Sequence, residues 1–340
     1  MLDPVVSISC ITYNHAPYLR QCLDSFLMQR DIPFEVLIHD DCSTDGTAEI
    51  IREYAEKYPD VIRPLYEEQN QYSRGISNIS GVFNFPRARG RYIAMCEGDD
   101  FWNDRYKLKK QAEYLDTHPE CTLLVHSALI AAEDGAYRSS GLIRPAEGHR
   151  DLSPEEVISK PVNFPMASLM FPAELAKHLP QWYFDCPVGD IPLHLFMLEH
   201  GTVHYMDEAM STYRAGRTGS WGAAMDTSGS SADAKGVDPA GSAAKQKDKW
   251  EAHYRAMEDL FSTFDRETEG KYADAIRDAQ ARSRFLIDLK EGRTEVVKEA
   301  SNRRYLEELP KTEQKLLKLK ASAPGIYRLL QKTYKAVKRG

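Results

Sequence analysis

The chain has 340 residues, with 51 acidic and 44 basic side chains and a formal net charge of −7. That length leaves room for about two domains and a sizeable core, and the acidic balance argues against a nucleic-acid polymer as partner, because such binding needs clustered positive charge. Hydrophobic residues make up 42% and charged residues 28%, the balance of a folded enzyme-sized protein rather than a disordered one.

Residues Val5 to Thr12 form a short β-branched run, a strand, followed by a loop at Tyr13-Asn14-His15-Ala16-Pro17. From Tyr18 to Gln29 the apolar residues Leu19, Cys22, Leu23, Phe26 and Leu27 recur at helical spacing. The unit then repeats. Phe34 to His39 reads as a buried strand, Asp40 to Gly46 as a polar turn, and Thr47 to Tyr58 as a helix. A strand at Val61 to Tyr66, a loop and helix reaching Ala88, and a strand at Tyr92 to Cys96 continue the alternation. Such alternation predicts an α/β fold with a mostly parallel central sheet flanked by helices.

Asp104 is placed to cap a helix from about Tyr106 to His118, and Cys121 to Ala128 is apolar enough for a further central strand. Short helices are predicted at Pro154 to Ser159 and Pro172 to His178, and a longer one at Asp190 to His200. Gly222 to Lys249 is rich in Ala, Gly, Ser, Asp and Lys and reads as a mobile loop or lid. Trp250, Tyr254, Met257, Phe261 and Phe264 then open a helical C-terminal region. The last 30 residues set nine basic side chains against the single acid Glu313. Ile326, Leu329, Leu330, Tyr334 and Val337 fall on one face of a helix there, opposite Arg328, Lys332, Lys335, Lys338 and Arg339, a pattern suited to an anionic membrane surface. The domain plan is therefore an α/β part at 1–128, a second lobe on the same sheet at 129–221, the loop at 222–249 and a helical region at 250–340.

The cysteines at 10, 22, 42, 96, 121 and 186 form no CxxC pair and no zinc-like spacing, so they read as small buried residues of a reducing compartment. No window holds the roughly 18 to 20 apolar residues that cross a bilayer. The opening MLDPVVSISC lacks a basic segment ahead of a hydrophobic stretch, and the expected location is the cytoplasm, with peripheral attachment through the C-terminal helix.

In an open parallel sheet the ligand lies outside the carboxyl ends of the strands. Two acidic clusters stand there: Asp40-Asp41 ahead of Ser43-Thr44-Asp45-Gly46, and Glu97-Gly98-Asp99-Asp100 ahead of Phe101-Trp102. Crowded carboxylates call for a divalent cation, and hard oxygen ligands favour Mg2+ or Mn2+ alongside phosphate oxygens. Asp45-Gly46-Thr47 reads more simply as a turn and helix cap. Arg74 and Arg217 are candidate phosphate contacts. Neither GxGxxG nor GxxxxGKS occurs, which argues against a Rossmann dehydrogenase or a P-loop enzyme.

Val6-Ser7-Ile8 leading into Thr12-Tyr13-Asn14, then Asp40-Asp41-Cys42-Ser43-Thr44-Asp45-Gly46-Thr47, then Gly90-Arg91-Tyr92-Ile93 leading into Glu97-Gly98-Asp99-Asp100, resemble the family-2 glycosyltransferases of type-A fold. The likeness is close over about residues 5–130, looser through Val188-Gly189-Asp190 and Tyr213-Arg214 to Gly219-Ser220-Trp221, and ends near 222. It implies inverting transfer of a sugar from a nucleotide-diphosphate donor, a UDP-sugar, to a hydroxyl of a glycan or lipid-linked glycan during bacterial surface polysaccharide synthesis. Thr12 and Asp41 match positions that hold the donor's base and ribose. Asp99 matches a contact to the donor's ribose or sugar and to the metal, Asp100 the main metal ligand, and Asp190 the catalytic base. The family's Tyr-Arg-x-His pattern has Gly216 in place of the histidine, which leaves its contact to Arg214 or Arg217. Ser80-Gly81-Val82 replaces a common Ala-Arg-Asn segment, so donor recognition there does not carry over. A sugar-phosphate nucleotidyltransferase is the rival enzyme class, disfavoured because Asn14-His15-Ala16-Pro17 is not a basic, Gly-rich phosphate loop. A non-catalytic glycan- or nucleotide-binding module is the other alternative.

Overall fold

A computed structural model describes residues 3–132, 137–159, 164–215 and 239–325. The chain divides into two units, Met1–Lys271 and Tyr272–Gly340.

The first unit opens with the expected alternation: β1 (Val6–Thr12), α1 (Ala16–Leu27), β2 (Phe34–Asp40), α2 (Thr47–Lys57), β3 (Ile62–Tyr66) and β4 (Tyr92–Met95). Pro17 stands at the start of α1, where its missing N–H costs no helical bond, and the helix buries Leu19, Cys22, Leu23 and Phe26 at the spacing read from the sequence. Next come β5 (Phe101–Trp102), α3 (Lys107–Thr117), β6 (Cys121–Ala131), β7 (Tyr137–Ile143), β8 (Arg150–Asp151), α4 (Pro154–Ser159) and β9 (Met170–Pro172). The unit continues with α5 (Ala173–Ala176), α6 (Gln181–Asp185), α7 (Asp190–His200), β10 (Thr202–Arg214) and α8 (Pro239–Glu267).

The sheet runs β3-β2-β1-β4-β9-β6-β10-β5, with β7 on β6 and β8 on β10. Its long ladders are parallel: β1 with β2 and β4, β2 with β3, and β10 with β6. Its short ladders are antiparallel, and β9 is wedged between β4 and β6 with Met170 opposite both Ala94 and Leu124. The core on the α1 side packs Val6, Ile8, Phe26, Val36, Ile38, Leu108 and Trp102, each worth roughly 1.5–3 kcal/mol as a buried large side chain. All six cysteines are free, and Cys42 alone of them is not buried.

Three expectations need correction, and one strand was not anticipated. The helix expected to reach Ala88 is instead a chain of tight turns: 3₁₀ at Tyr72–Arg74, a π-helical turn at Ser80–Asn84 and 3₁₀ at Phe85–Arg87. Within it Gly81 packs so close to Tyr183 that a Cβ would lie 2.6 Å from Cε1 of that ring. The helix expected at Pro172 to His178 is present but shorter: Pro172 ends β9 and caps α5, which runs only from Ala173 to Ala176. Phe101-Trp102 forms a strand against β10 that its length hid. Finally, α8 begins at Pro239, so residues 239–249 are helical rather than loop. The remainder of the expected lid, 222–238, and the basic helix at 326–340 lie outside the described residues.

The second unit is helical as expected, with α9 (Ala273–Lys290), α10 (Arg303–Glu308) and α11 (Lys311–Ser322). Its own small core joins Phe285, Val296, Val297, Tyr305 and Leu306. Among the described residues no helix is long and apolar enough to cross a membrane.

Candidate active site

Parallel pairing of β1 with β2 sets Thr12 beside Asp40, so the polar residues that follow the two strands meet at one edge of the sheet. Asp40, the last residue of β2, holds the turn that follows it. It is 2% exposed, and its carboxylate accepts from the Thr12 and Ser43 hydroxyls and the Ser43 N–H. Asp45 also serves the backbone, accepting from the N–H groups of Ala16 and Thr47 and from the Thr47 hydroxyl, as a turn and cap reading requires. Asn14, at φ 55, completes the link by accepting from Thr44 N–H.

Asp41 has a different task. Its two carboxylate oxygens accept from the N–H groups of Gln71 (2.6 Å) and Tyr72 (3.1 Å), and its own carbonyl accepts from Asn70 Nδ2 (2.9 Å). It therefore clamps the 3₁₀ turn that carries Arg74, whose side chain is exposed at the same edge. Thr12 is buried and donates its hydroxyl to His39 O and Asp40 Oδ1.

The turn Glu97-Gly98-Asp99-Asp100 crosses the end of β1, with Gly98 N–H donating to Ile11 O at 3.0 Å. Gly98 has to lack a side chain: a Cβ there would sit 2.6 Å from Thr12 Cγ2 and 2.9 Å from His15 Nδ1. Asp99 and Asp100 are only 7% and 3% exposed. Burial first, and the neighbouring charge of Asp99 second, push the Asp100 carboxyl well above the usual carboxylate range. Its Oδ1 accepts from the backbone N–H of Arg214 at 2.9 Å. His15 Nδ1 lies 4.0 Å from Asp99 Oδ1, a neighbour the sequence signalled only by its position just past β1.

Arg214, the last residue of β10, is buried rather than presented to solvent. Its Nε donates to Asp99 O (2.9 Å), its Nη2 to Gln21 Oε1 (2.7 Å), and its guanidinium stacks over Tyr18 and Phe101 at 4.8 and 5.6 Å from the ring centroids. It clasps the aspartate turn to α1 and β5. Arg217 lies outside the described residues.

A cleft at this edge is lined by Ser9, Asn78, Ser80, Glu97, Tyr183 and Gly189 among others. It joins the aspartate turn at Glu97 to Gly189, the residue before Asp190. Asp190 is the first residue of α7, after the cap Gly189, and accepts from Ile191 N–H at 2.8 Å in the first turn, while burial raises its carboxyl above the ordinary value. Asn78 and Tyr183 were missed in the sequence because they stand 105 residues apart and only the fold brings them together.

Two adjacent buried carboxylates with the like-charge crowding seen at Asp100 suit a hard divalent cation. Among the described residues no three His, Cys, Asp or Glu side chains are grouped to hold a metal alone. Phosphate oxygens and water would therefore complete the shell, which is how Mg2+ is commonly held.

Residues 7–171 match the family model described as Glycosyl transferase family 2. The uncharacterized protein Rv1520 of Mycobacterium tuberculosis is 38% identical over 222 residues, covering 64% of this chain and 60% of that protein. The putative teichuronic acid biosynthesis glycosyltransferase TuaG of Bacillus subtilis is 35% identical over 132 residues, 39% of this chain and 50% of its own length. This chain thus spans 60% or less of those curated relatives. The crystal structure of S. aureus TarS 1-349 in complex with UDP-GlcNAc superposes with a TM-score of 0.57 at 18% identity, over 97% of this chain and 91% of that one, a likeness of fold.

Proposed function

We propose, with residues 7–171 forming a glycosyl transferase family 2 domain as the premise, that this protein is a metal-dependent, inverting glycosyltransferase. It moves a sugar from a nucleotide-diphosphate donor, a UDP-sugar, to a hydroxyl of a glycan or lipid-linked glycan in bacterial surface polysaccharide synthesis, working in the cytoplasm. The observation that carries this reading is the cleft whose lining runs from Glu97 of the aspartate turn to Gly189 beside Asp190. Asp99 and Asp100 follow Glu97 in the same turn and Asp190 follows Gly189, so the two ends of the cleft lead to the buried pair and to the third carboxylate. The likeness to TuaG, a glycosyltransferase assigned to teichuronic acid biosynthesis, and the UDP-GlcNAc bound to TarS support the setting and the donor class.

In this reading Asp100 and Asp99 hold Mn2+ or Mg2+, which when bound neutralises the diphosphate leaving group. The manganese-bound mannosyltransferase PcManGT of Pyrobaculum calidifontis, similar in fold at a TM-score of 0.50, supports the choice of metal. Thr12 and Asp41 frame the base and ribose from β1 and β2. Arg74 and Arg217 meet phosphate, and Arg214 serves the donor by fixing the turn that carries Asp99 and Asp100. Asp190 takes the proton of the acceptor hydroxyl as its oxygen attacks the anomeric carbon opposite the departing diphosphate, which inverts that carbon. A carboxyl that burial makes harder to ionise is, once ionised, a stronger base than an exposed one, which suits that task.

The test is a panel of nucleotide-sugar donors with Mn2+, scoring nucleoside diphosphate release with and without lipid-linked acceptors. Acceptor-stimulated release from one UDP-sugar is expected. Release of pyrophosphate from a sugar phosphate and a nucleoside triphosphate would instead mark a nucleotidyltransferase.

A further inference from the structure

We infer that Asn78 is the positioning residue for Asp190, an inference that rests on the base role proposed above. Asn78 stands between the aspartate-turn side of the cleft and the segment that leads into α7, and it is 3% exposed. Its Nδ2 donates to two backbone carbonyls of that segment, Tyr183 O at 2.5 Å and Cys186 O at 3.1 Å. Ser77 adds a third bond, its hydroxyl donating to Cys186 O at 2.8 Å. Both bonded carbonyls fall within the eight residues before Asp190.

The amide is oriented by this arrangement. With Nδ2 committed to two carbonyls, Oδ1 has to face the other way, and it lies 2.8 Å from where a Cβ on Gly189 would be. Gly189 is therefore the one residue type that lets the Asn78 side chain lie against the backbone just ahead of Asp190. On the far side the Tyr183 ring is pinned against Gly81, so the segment cannot retreat from Asn78. The Oδ1 atom is buried and accepts no hydrogen bond among the described residues. A buried acceptor without a partner is unfavourable, and the geometry points to what maintains it: the opposite end of the same amide fixes a backbone on which chemistry depends.

Asp190 itself takes its hydrogen bonds from the backbone at the start of its own helix. The direction of its carboxylate therefore follows the direction of that backbone. Asn78 and Ser77 supply side-chain bonds from across the cleft that hold the approach to it, and a misplacement of about 1 Å at a reacting group can cost on the order of 10²-fold in rate.

The experiment compares Asn78→Ala and Asn78→Asp with Asp190→Asn and with the double variant Asn78→Ala/Asp190→Asn. Turnover is measured on the best donor of the panel, and binding with UDP and Mn2+ as the probe. Asn78→Asp keeps the shape but turns an oxygen toward two carbonyls. Both Asn78 variants should lower kcat by about 10- to 100-fold while the UDP Kd stays within about twofold. The double variant should be no slower than Asp190→Asn alone, because a positioning residue has nothing left to position. Wild-type kcat in Asn78→Ala, or losses that multiply in the double variant, would overturn the inference. If Asp190→Asn itself keeps its rate, the base role fails instead, which separates the two readings. Should Asn78→Ala not fold by circular dichroism, Ser77→Ala decides: a fall in kcat alone is expected, and unchanged kcat overturns the inference.

Discussion

The backbone N–H of Arg214 donates to Asp100 Oδ1 across 2.9 Å of space and 114 residues of sequence. The bond ties the end of the sheet's last long strand to the turn that carries both buried aspartates. It also makes Asp100 a buried, hydrogen-bonded group.

Asp100→Asn is accordingly the informative change at this position. The amide oxygen can keep accepting from Arg214, and the neutral group relieves repulsion from Asp99, so the melting temperature should hold or rise. Transfer should fall by at least about 10²-fold, since a neutral amide is a poor ligand for a hard cation. Full turnover in the variant, or in wild type under excess chelator, would remove Asp100 from the metal role.

Asp190→Asn should lose roughly 10² to 10⁴ in kcat, the usual worth of a general base, while binding UDP and Mn2+ as wild type does. The base must be ionised to act, and burial raises the carboxyl of Asp190. Wild-type kcat should therefore climb with pH through a midpoint above the ordinary carboxylate value of about 3.9. That limb should vanish in the variant. Weakened UDP binding with an unchanged limb would reassign Asp190 to the donor.

At Gly98 the argument is steric. A methyl group there would meet Thr12 Cγ2 at 2.6 Å and His15 Nδ1 at 2.9 Å. Gly98→Ala should cost about 1–3 kcal/mol by overpacking and weaken UDP binding in Mn2+. Adding Thr12→Ser, which deletes the clashing methyl, should recover part of the melting temperature. No recovery would place the strain elsewhere in the turn.

A fourth expectation concerns stability. Lys107 is fully buried, donates to Gln111 Oε1 at 2.6 Å and lies 4.3 Å from the centroid of the Trp102 ring. Burial brings its amine down to about 7. Between that value and the unfolded value of about 10.4, the unfolded chain binds more protons than the folded one, so this group adds stability as pH rises and withdraws it as pH falls. The slope approaches about 1.4 kcal/mol per pH unit in mid-window. Urea unfolding at pH 7 to 10 should show wild type gaining on Lys107→Met at close to that rate. A constant difference between the two would mean that Lys107 stays charged when folded.

Much of the first 130 residues was legible because their elements announce themselves locally. The run Val6–Thr12, the apolar stripe Leu19, Cys22, Leu23 and Phe26, and the acids after β2 and β4 all obey short-range rules. Elements whose existence depends on distant partners were hidden. Met170–Pro172 is a strand only because Ala94 and Leu124 lie on either side of it, and its sequence alone resembles the start of a helix. The Tyr-Arg-x-His resemblance singled out Arg214 but could not show its bonds to Asp99 O and Gln21 Oε1, which lie 115 and 193 residues away in sequence. Asn78, with no charge and no motif, gave no signal at all.

The place of Arg214 at the end of β10 has a consequence for biosynthesis. A chain emerging from its N-terminus can form β1, α1, β2, α2 and β4 from contacts among its first hundred residues, and domains tend to assemble as they emerge. The turn at 97–100 then waits for β10, whose parallel register on β6 sets Arg214 beside Ala131. Until that strand docks, neither the Arg214 N–H nor its guanidinium is there to close over Asp99 and Asp100. Synthesis halted before residue 214 would thus leave the first four parallel strands with an unfinished aspartate turn, which closes only when β10 docks.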